Sequence, residues 1–171
     1  MEESLKMSQN PTVEEMDVKK ESSMKIDSYI RECFGIKDVD IRTYSPLTLA
    51  FIGDGIYDLI IRTMIVGRGN TKASQLHQHT SHLVKAHSQS VMIEYMLPHM
   101  TEEEEAVYKR GRNAKSPTMA KNATMADYRR ATGFEALMGY LYLSDQFERI
   151  MELVGIGLDG LKKEELCTSK N

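Results

Sequence analysis

Residues 45–66 run SPLTLAFIGDGIYDLIIRTMIV. Ser45 offers an N-cap, Pro46 occupies the first helical position, and the segment then stays apolar nearly all round, as a buried helix does. It stops at Gly67-Arg68-Gly69-Asn70, a turn-rich tetrad. Beyond it, TKASQLHQHTSHLVKAHSQSVMIEYML predicts one continuous helix, capped by Thr71 and ended before Pro98. Thr101 to Glu104 is a capping-box pattern opening a short acidic-to-basic helix that ends near Arg110. GRNAKSPTMAKNAT, from Gly111 to Thr124, has the composition of a loop, and Asp127 starts the next helix, YRRATGFEALMGYLYLS. QFERIMELV adds a short closing helix, and no internal repeat is present. The fold class is all-α, in one domain over 28–160, with a solvated polar tail over 1–27 and a short polar tail over 161–171.

The whole chain sets the classes that this core can serve. Its 171 residues, 41% hydrophobic and 27% charged, describe a globular protein, not a collagen-like, disordered or polytopic membrane chain. Cys33 and Cys167 stand near opposite ends, in neither a metal-ligand spacing nor a disulfide framework, which fits a reducing cytosol. No apolar run marks a secretory signal or a membrane span, so the expected location is cytoplasmic. The net charge of -3 hides a strong segregation. Between residues 109 and 130, Lys109, Arg110, Arg112, Lys115, Lys121, Arg129 and Arg130 face one acid, Asp127. With Asn113 and other polar side chains interleaved, that segment suits a phosphate backbone; a merely solvated charged loop is the plainer alternative.

Two carboxylates sit on helices that are otherwise apolar. Asp54 shares one stripe of the first helix with Asp58 and Arg62, at i, i+4 and i+8. Asp58 and Arg62 make an ordinary ion pair at that spacing, and Asp54 could lie where the stripe meets solvent. Gly53 and Gly55 flank it, however, and each costs a helix interior roughly 0.5–1 kcal/mol relative to Ala, which predicts a close neighbour. In the second helix Glu135 is the one ionisable side chain between Ala131 and Leu143 besides two tyrosines. A buried carboxylate must find a cation, hydrogen-bond donors or the surface. Two apolar helices, each with one inward acid beside glycine, suggest a shared hard cation, Mg²⁺ or Mn²⁺ rather than zinc, although Arg and Lys partners are also plentiful. His77, His79, His82 and His87 do not share one helical face and fit a polar surface better than a metal site. No dinucleotide or phosphate-loop fingerprint and no Ser-His or Cys-His pair is present.

The segments Leu49-Ala50-Phe51-Ile52-Gly53-Asp54 with Ile56-Tyr57-Asp58, and Thr132-Gly133-Phe134-Glu135-Ala136-Leu137-Met138-Gly139-Tyr140-Leu141-Tyr142-Leu143, resemble the two signature helices of the ribonuclease III domain. The resemblance runs from about Tyr44 to Val154 and is closest to the bacterial Mini-III branch, which has this domain alone, without a double-stranded-RNA-binding domain. Larger members carry a Glu and an Asp where this chain has Ala50 and Thr132. Mini-III enzymes share those losses, which leave the number of metal ions open. The resemblance implies a homodimeric ribonuclease III fold and an endonuclease that cuts double-stranded RNA to 5′-phosphate and 3′-hydroxyl ends. It implies Mg²⁺, with Mn²⁺ able to substitute, held by Asp54 and Glu135, with Asp58 and Asp127 as further candidates. Lys109, Arg110, Arg112, Asn113, Lys115, Lys121, Arg129 and Arg130 would then grip the RNA. The implied substrate is the precursor of large-subunit (23S) ribosomal RNA, with assistance from a ribosomal protein left open. Two other readings compete: a non-catalytic RNA- or ribosome-binding module of the same fold, and a helical interaction protein with ordinary buried ion pairs.

Overall fold

The computed structural model describes residues 26–115 and 124–168, which divide into two compact units, residues 26–38 and those from Val39 onward. In the first, helix α1 (Ile26–Phe34) is amphipathic and ends where Gly35 takes a φ of +60°. Ile36 N–H then donates to the Arg31 carbonyl and Gly35 N–H to that of Glu32, which closes the last turn. This helix starts inside the stretch expected as a tail.

The second unit begins with a 3₁₀ turn, Ile41–Thr43, and α2 (Pro46–Val66), capped by Ser45 as its sequence predicts: Ser45 Oγ accepts from Thr48 N–H at 3.1 Å. There follow α3 (Ala73–Val84), α4 (Ala86–Met96), a 3₁₀ turn at Leu97–His99, α5 (Glu102–Asn113), α6 (Met125–Leu143) and α7 (Phe147–Thr168). No strand occurs among the described residues, in keeping with the all-α expectation. The core lies where α2, α4, α6 and α7 meet, around Tyr57, Ile61, Met92, Phe134, Leu137 and Leu153. Tyr57 packs edge-on to Phe134 with ring centroids 4.8 Å apart.

Five boundaries differ from the sequence reading. The helix expected to be continuous from Thr71 breaks at Lys85, whose ψ of 150° is extended. The carbonyls freed by that break are satisfied from elsewhere: Ser88 Oγ donates to His82 O at 2.6 Å and Tyr57 OH to Leu83 O at 3.1 Å. Lys72 rather than Thr71 takes the cap position of α3. Helix α6 starts earlier than Asp127, with Thr124 as its cap, Thr124 Oγ1 accepting from Asp127 N–H at 3.0 Å. The closing helix is long, continuing through Thr168 across the stretch expected as a tail. Two of its glycines are contact surfaces: a Cβ on Gly160 would lie 2.2 Å from the Tyr95 ring, and one on Gly157 would lie 2.9 Å from Met92. The short helix expected to end near Arg110 runs on to Asn113.

The capping box at Thr101 and Glu104 forms as expected. Its carboxylate has a second partner: Arg149 of α7 reaches Glu104 with Nε to Oε1 at 2.8 Å and Nη2 to Oε2 at 2.9 Å. The Glu104 side chain is only 6% exposed, and this bidentate guanidinium neutralises it there.

Candidate active site

The site is set by how closely α2 and α6 cross. A Cβ on Gly53 would lie 1.8 Å from the Glu135 carbonyl oxygen, and one on Gly139 would lie 2.0 Å from that of Leu49. Only glycine fits at either position, so the two backbones touch. Asp54 follows Gly53 directly, and Glu135 contributes the very carbonyl that Gly53 meets, so the crossing places the two acids side by side. The close neighbour predicted at Gly53 is therefore α6. The same prediction does not hold at Gly55, where nothing lies within 4 Å of an added Cβ.

Glu135 is half-buried by its residue surface and its carboxyl lies deep. Burial first, and the Asp54 charge second, push its pKa up to about 8, against a smaller pull downward from Gln89. Asp54 keeps one side open to solvent, yet burial and then the Asp58 charge raise its pKa as well. Among the described residues no Arg or Lys figures in the groups acting on either carboxyl. Two acids that repel each other and lack a protein cation are fitted to an added one. A divalent ion such as Mg²⁺, which binds through one or two carboxylates and keeps several waters, suits so small a donor set.

The remaining candidate ligands are engaged elsewhere. Asp58 Oδ2 accepts from Arg62 Nε at 2.5 Å, the ordinary pair that the spacing predicts. Asp127 Oδ2 lies 3.3 Å from His87 Nδ1. Burial acts to raise the Asp127 pKa, but hydrogen bonds from Ser90, Thr124 and His87 outweigh it and hold the carboxyl below its usual value. Thr132 donates its hydroxyl to Tyr128 O at 3.0 Å, and Ala50 is buried. Among the described residues no three His, Cys, Asp or Glu side chains gather at metal-holding distance, so neither Asp58 nor Asp127 completes a set with Asp54 and Glu135.

Sequence reasoning missed Gln89. It is 1% exposed on α4, its amide faces the Glu135 carboxyl, and neither Nε2 nor Oε1 closes a hydrogen bond of ordinary geometry among the described residues. Its position depends on the break at Lys85, which carries no Gly or Pro signal. The histidines stand apart from the site. His82 Nε2 meets Glu165 Oε1 at 2.6 Å, and with His79 it borders a cavity of about 210 Å³ between α2, α3 and α7.

The basic residues cluster at the end of α5 and the start of α6, which pack against each other. Arg110, Lys115, Arg129 and Asn113 are exposed. Arg112 lies over the Tyr108 ring, 5.7 Å from its centroid, and donates from Nε to Asn113 Oδ1 at 3.3 Å. Lys109 pairs with Glu105 at 2.7 Å, and Arg130 pairs with Glu94. Lys121 lies outside the described residues.

Comparison with known proteins places the chain in a family. A model of the Ribonuclease III domain matches residues 47–146. The chain is 50% identical over 117 residues to a Mini-ribonuclease 3 of Enterococcus faecalis, an alignment covering 67% of this chain and 89% of that protein. It is 47% identical over 116 residues to a Mini-ribonuclease 3 of Clostridium tetani, covering 67% and 77%. Among solved structures, a crystal structure of a protein from Fusobacterium nucleatum is similar with a TM-score of 0.65 at 32% identity, covering 72% of this chain and 98% of that one.

Proposed function

The chain belongs to the Mini-III branch of the ribonuclease III family, endoribonucleases of double-stranded RNA, and we propose that it cuts with a divalent cation held by Asp54 and Glu135. Mg²⁺ is the natural ion, Mn²⁺ can replace it, and the products carry 5′-phosphate and 3′-hydroxyl ends. The observation that carries this reading is Glu135 itself, a deep carboxyl beside Asp54 on which no cation of the described residues acts. When bound, such a cation supplies an activated water and stabilises the leaving oxygen of a phosphodiester.

The chain's own residues do the rest. Gly53 and Gly139 fix the spacing of the two acids. Arg110, Lys115 and Arg129 offer exposed charge to phosphates, and Arg112, held against Tyr108, offers a planar donor. A surface of this kind reads A-form RNA by backbone and shape, which needs no stacking platform. A second copy of the chain is the partner: Phe51, 83% exposed, and Leu59, 56% exposed, stand bare on α2, the helix that carries Asp54, where a homodimer would cover them. The substrate in the cell is precursor 23S ribosomal RNA. Among the described residues no helix is long and apolar enough to cross a membrane.

The test is incubation of the purified chain with end-labelled duplex RNA and the matching single strand, in Mg²⁺, Mn²⁺ or EDTA, beside Glu135→Gln and Asp54→Asn. Discrete products from the duplex alone, dependent on the ion and reduced beyond about a hundredfold in variants that stay folded, are expected. Binding without cleavage in either ion would replace the enzyme by an RNA-gripping module, and unfolding of both variants would mark the two acids as structural.

A further inference from the structure

Helix α4 carries three consecutive buried polar side chains, Ser88, Gln89 and Ser90. The outer two serve the fold. Ser88 Oγ closes the end of α3 by donating to His82 O at 2.6 Å, and Ser90 hydrogen-bonds Asp127 at the start of α6. Gln89 serves neither purpose: at 1% exposure neither end of its amide closes a hydrogen bond of ordinary geometry among the described residues, and the carboxyl it acts on is that of Glu135. A Leu or Met of similar volume would fill the same space without burying an unsatisfied donor and acceptor. The amide nevertheless points at the Glu135 carboxyl, on which no Arg or Lys of the described residues acts. The other side chains around the crossing offer no substitute, since Thr132 is bonded to its own helix and Ala50 has no polar atom.

Resting on the cation reading above, we propose that Gln89 is the positioning residue of Glu135, with Nε2 reserved for the Glu135 carboxylate and Oε1 for a water of the cation's hydration shell. In the protein alone the amide acts on the Glu135 carboxyl without closing a bond of ordinary geometry, and the ion with its water completes both contacts. Held by the core residues Met92 and Ile93 one turn along α4, it fixes the orientation of the carboxylate without touching RNA.

Gln89→Met and Gln89→Leu in the full chain test this assignment, read out by melting in EDTA, calorimetric titration with Mn²⁺ alone, and kcat and KM on duplex RNA. The proposal expects melting temperatures in EDTA equal to or above that of the parent, Mn²⁺ affinity weakened about tenfold or more, and a lower kcat at unchanged KM. Unchanged Mn²⁺ affinity and kcat in the variants, with the parent active, would overturn it while leaving the cation reading intact. Loss of folding in EDTA by both variants would also overturn it, by showing that the amide is a structural bond. A parent that neither binds Mn²⁺ nor cuts duplex RNA would bring down the cation reading, and this assignment with it.

Discussion

Glu104 and Glu135 are both carboxylates sunk into the helical body, and they are treated in opposite ways. Glu104 caps α5 and receives two hydrogen bonds from Arg149; the Arg149 bonds, foremost, hold its pKa below the usual value despite burial. Glu135 receives no such partner, faces a second acid, and rises to about 8. The chain evidently has the means to neutralise a buried carboxylate and does so on α5, 31 residues away in sequence from where it does not. The difference separates a carboxylate that the fold neutralises from one that the proposed function assigns to a ligand, and it does so without reference to any relative.

The largest effect on this contrast comes from the crossing that places Glu135. Gly53→Ala would set a methyl 1.8 Å from the Glu135 carbonyl oxygen, so the helices must part. Expected are a loss of several kcal/mol, of the order of an overpacked core at its worst, and loss of cleavage; chemical denaturation and the duplex assay check both. Arg149→Ala strands Glu104 and should cost about 3 kcal/mol in denaturant, with kcat per folded molecule unchanged.

The two carboxylates also predict opposite responses to pH. A carboxyl whose folded pKa is raised favours the folded state most below its unfolded value, and that advantage is lost as pH rises to the folded value. The ion-free protein should therefore lose stability between pH 4.5 and about 8 on account of Glu135, a trend that Glu135→Gln flattens and Mg²⁺ opposes. For Glu104 the pKa is lowered, so its contribution is present above about 4.5 and disappears as pH falls below that value. Melting curves in EDTA across this range separate the two. The smallest effect belongs to Glu152, which meets Arg149 Nη1 at 2.8 Å but is 60% exposed. Glu152→Ala should change stability by less than about 1 kcal/mol, because solvent already screens that pair.

What the sequence discloses follows from how local each signal is. Ser45 before Pro46 and Thr101 before Glu104 are complete within one turn, and both caps form as the residues predict. Asp54 and Glu135 stand out because apolar helices rarely hold a lone acid. The break at Lys85 has no local mark: it is stabilised by Tyr57, 26 residues from the Leu83 carbonyl it satisfies. Gln89 was hidden for the same reason, since its burial depends on that break. The closing helix differs in the other direction: expected over QFERIMELV alone, it runs on through Gly157 and Gly160, which let α7 lie against Met92 and Tyr95 of α4.

The break at Lys85 also divides the molecule's cooperativity. Helix α3 buries one side chain, Thr80, whereas α4 buries six, and no continuous hydrogen-bond ladder joins them. Amide exchange in α3 can thus proceed by local opening while α4 stays closed. Fraying that begins among the histidines of α3 can stop one residue short of the helix that carries Gln89, which insulates the crossing of α2 and α6 from a loosely buried part of its own scaffold.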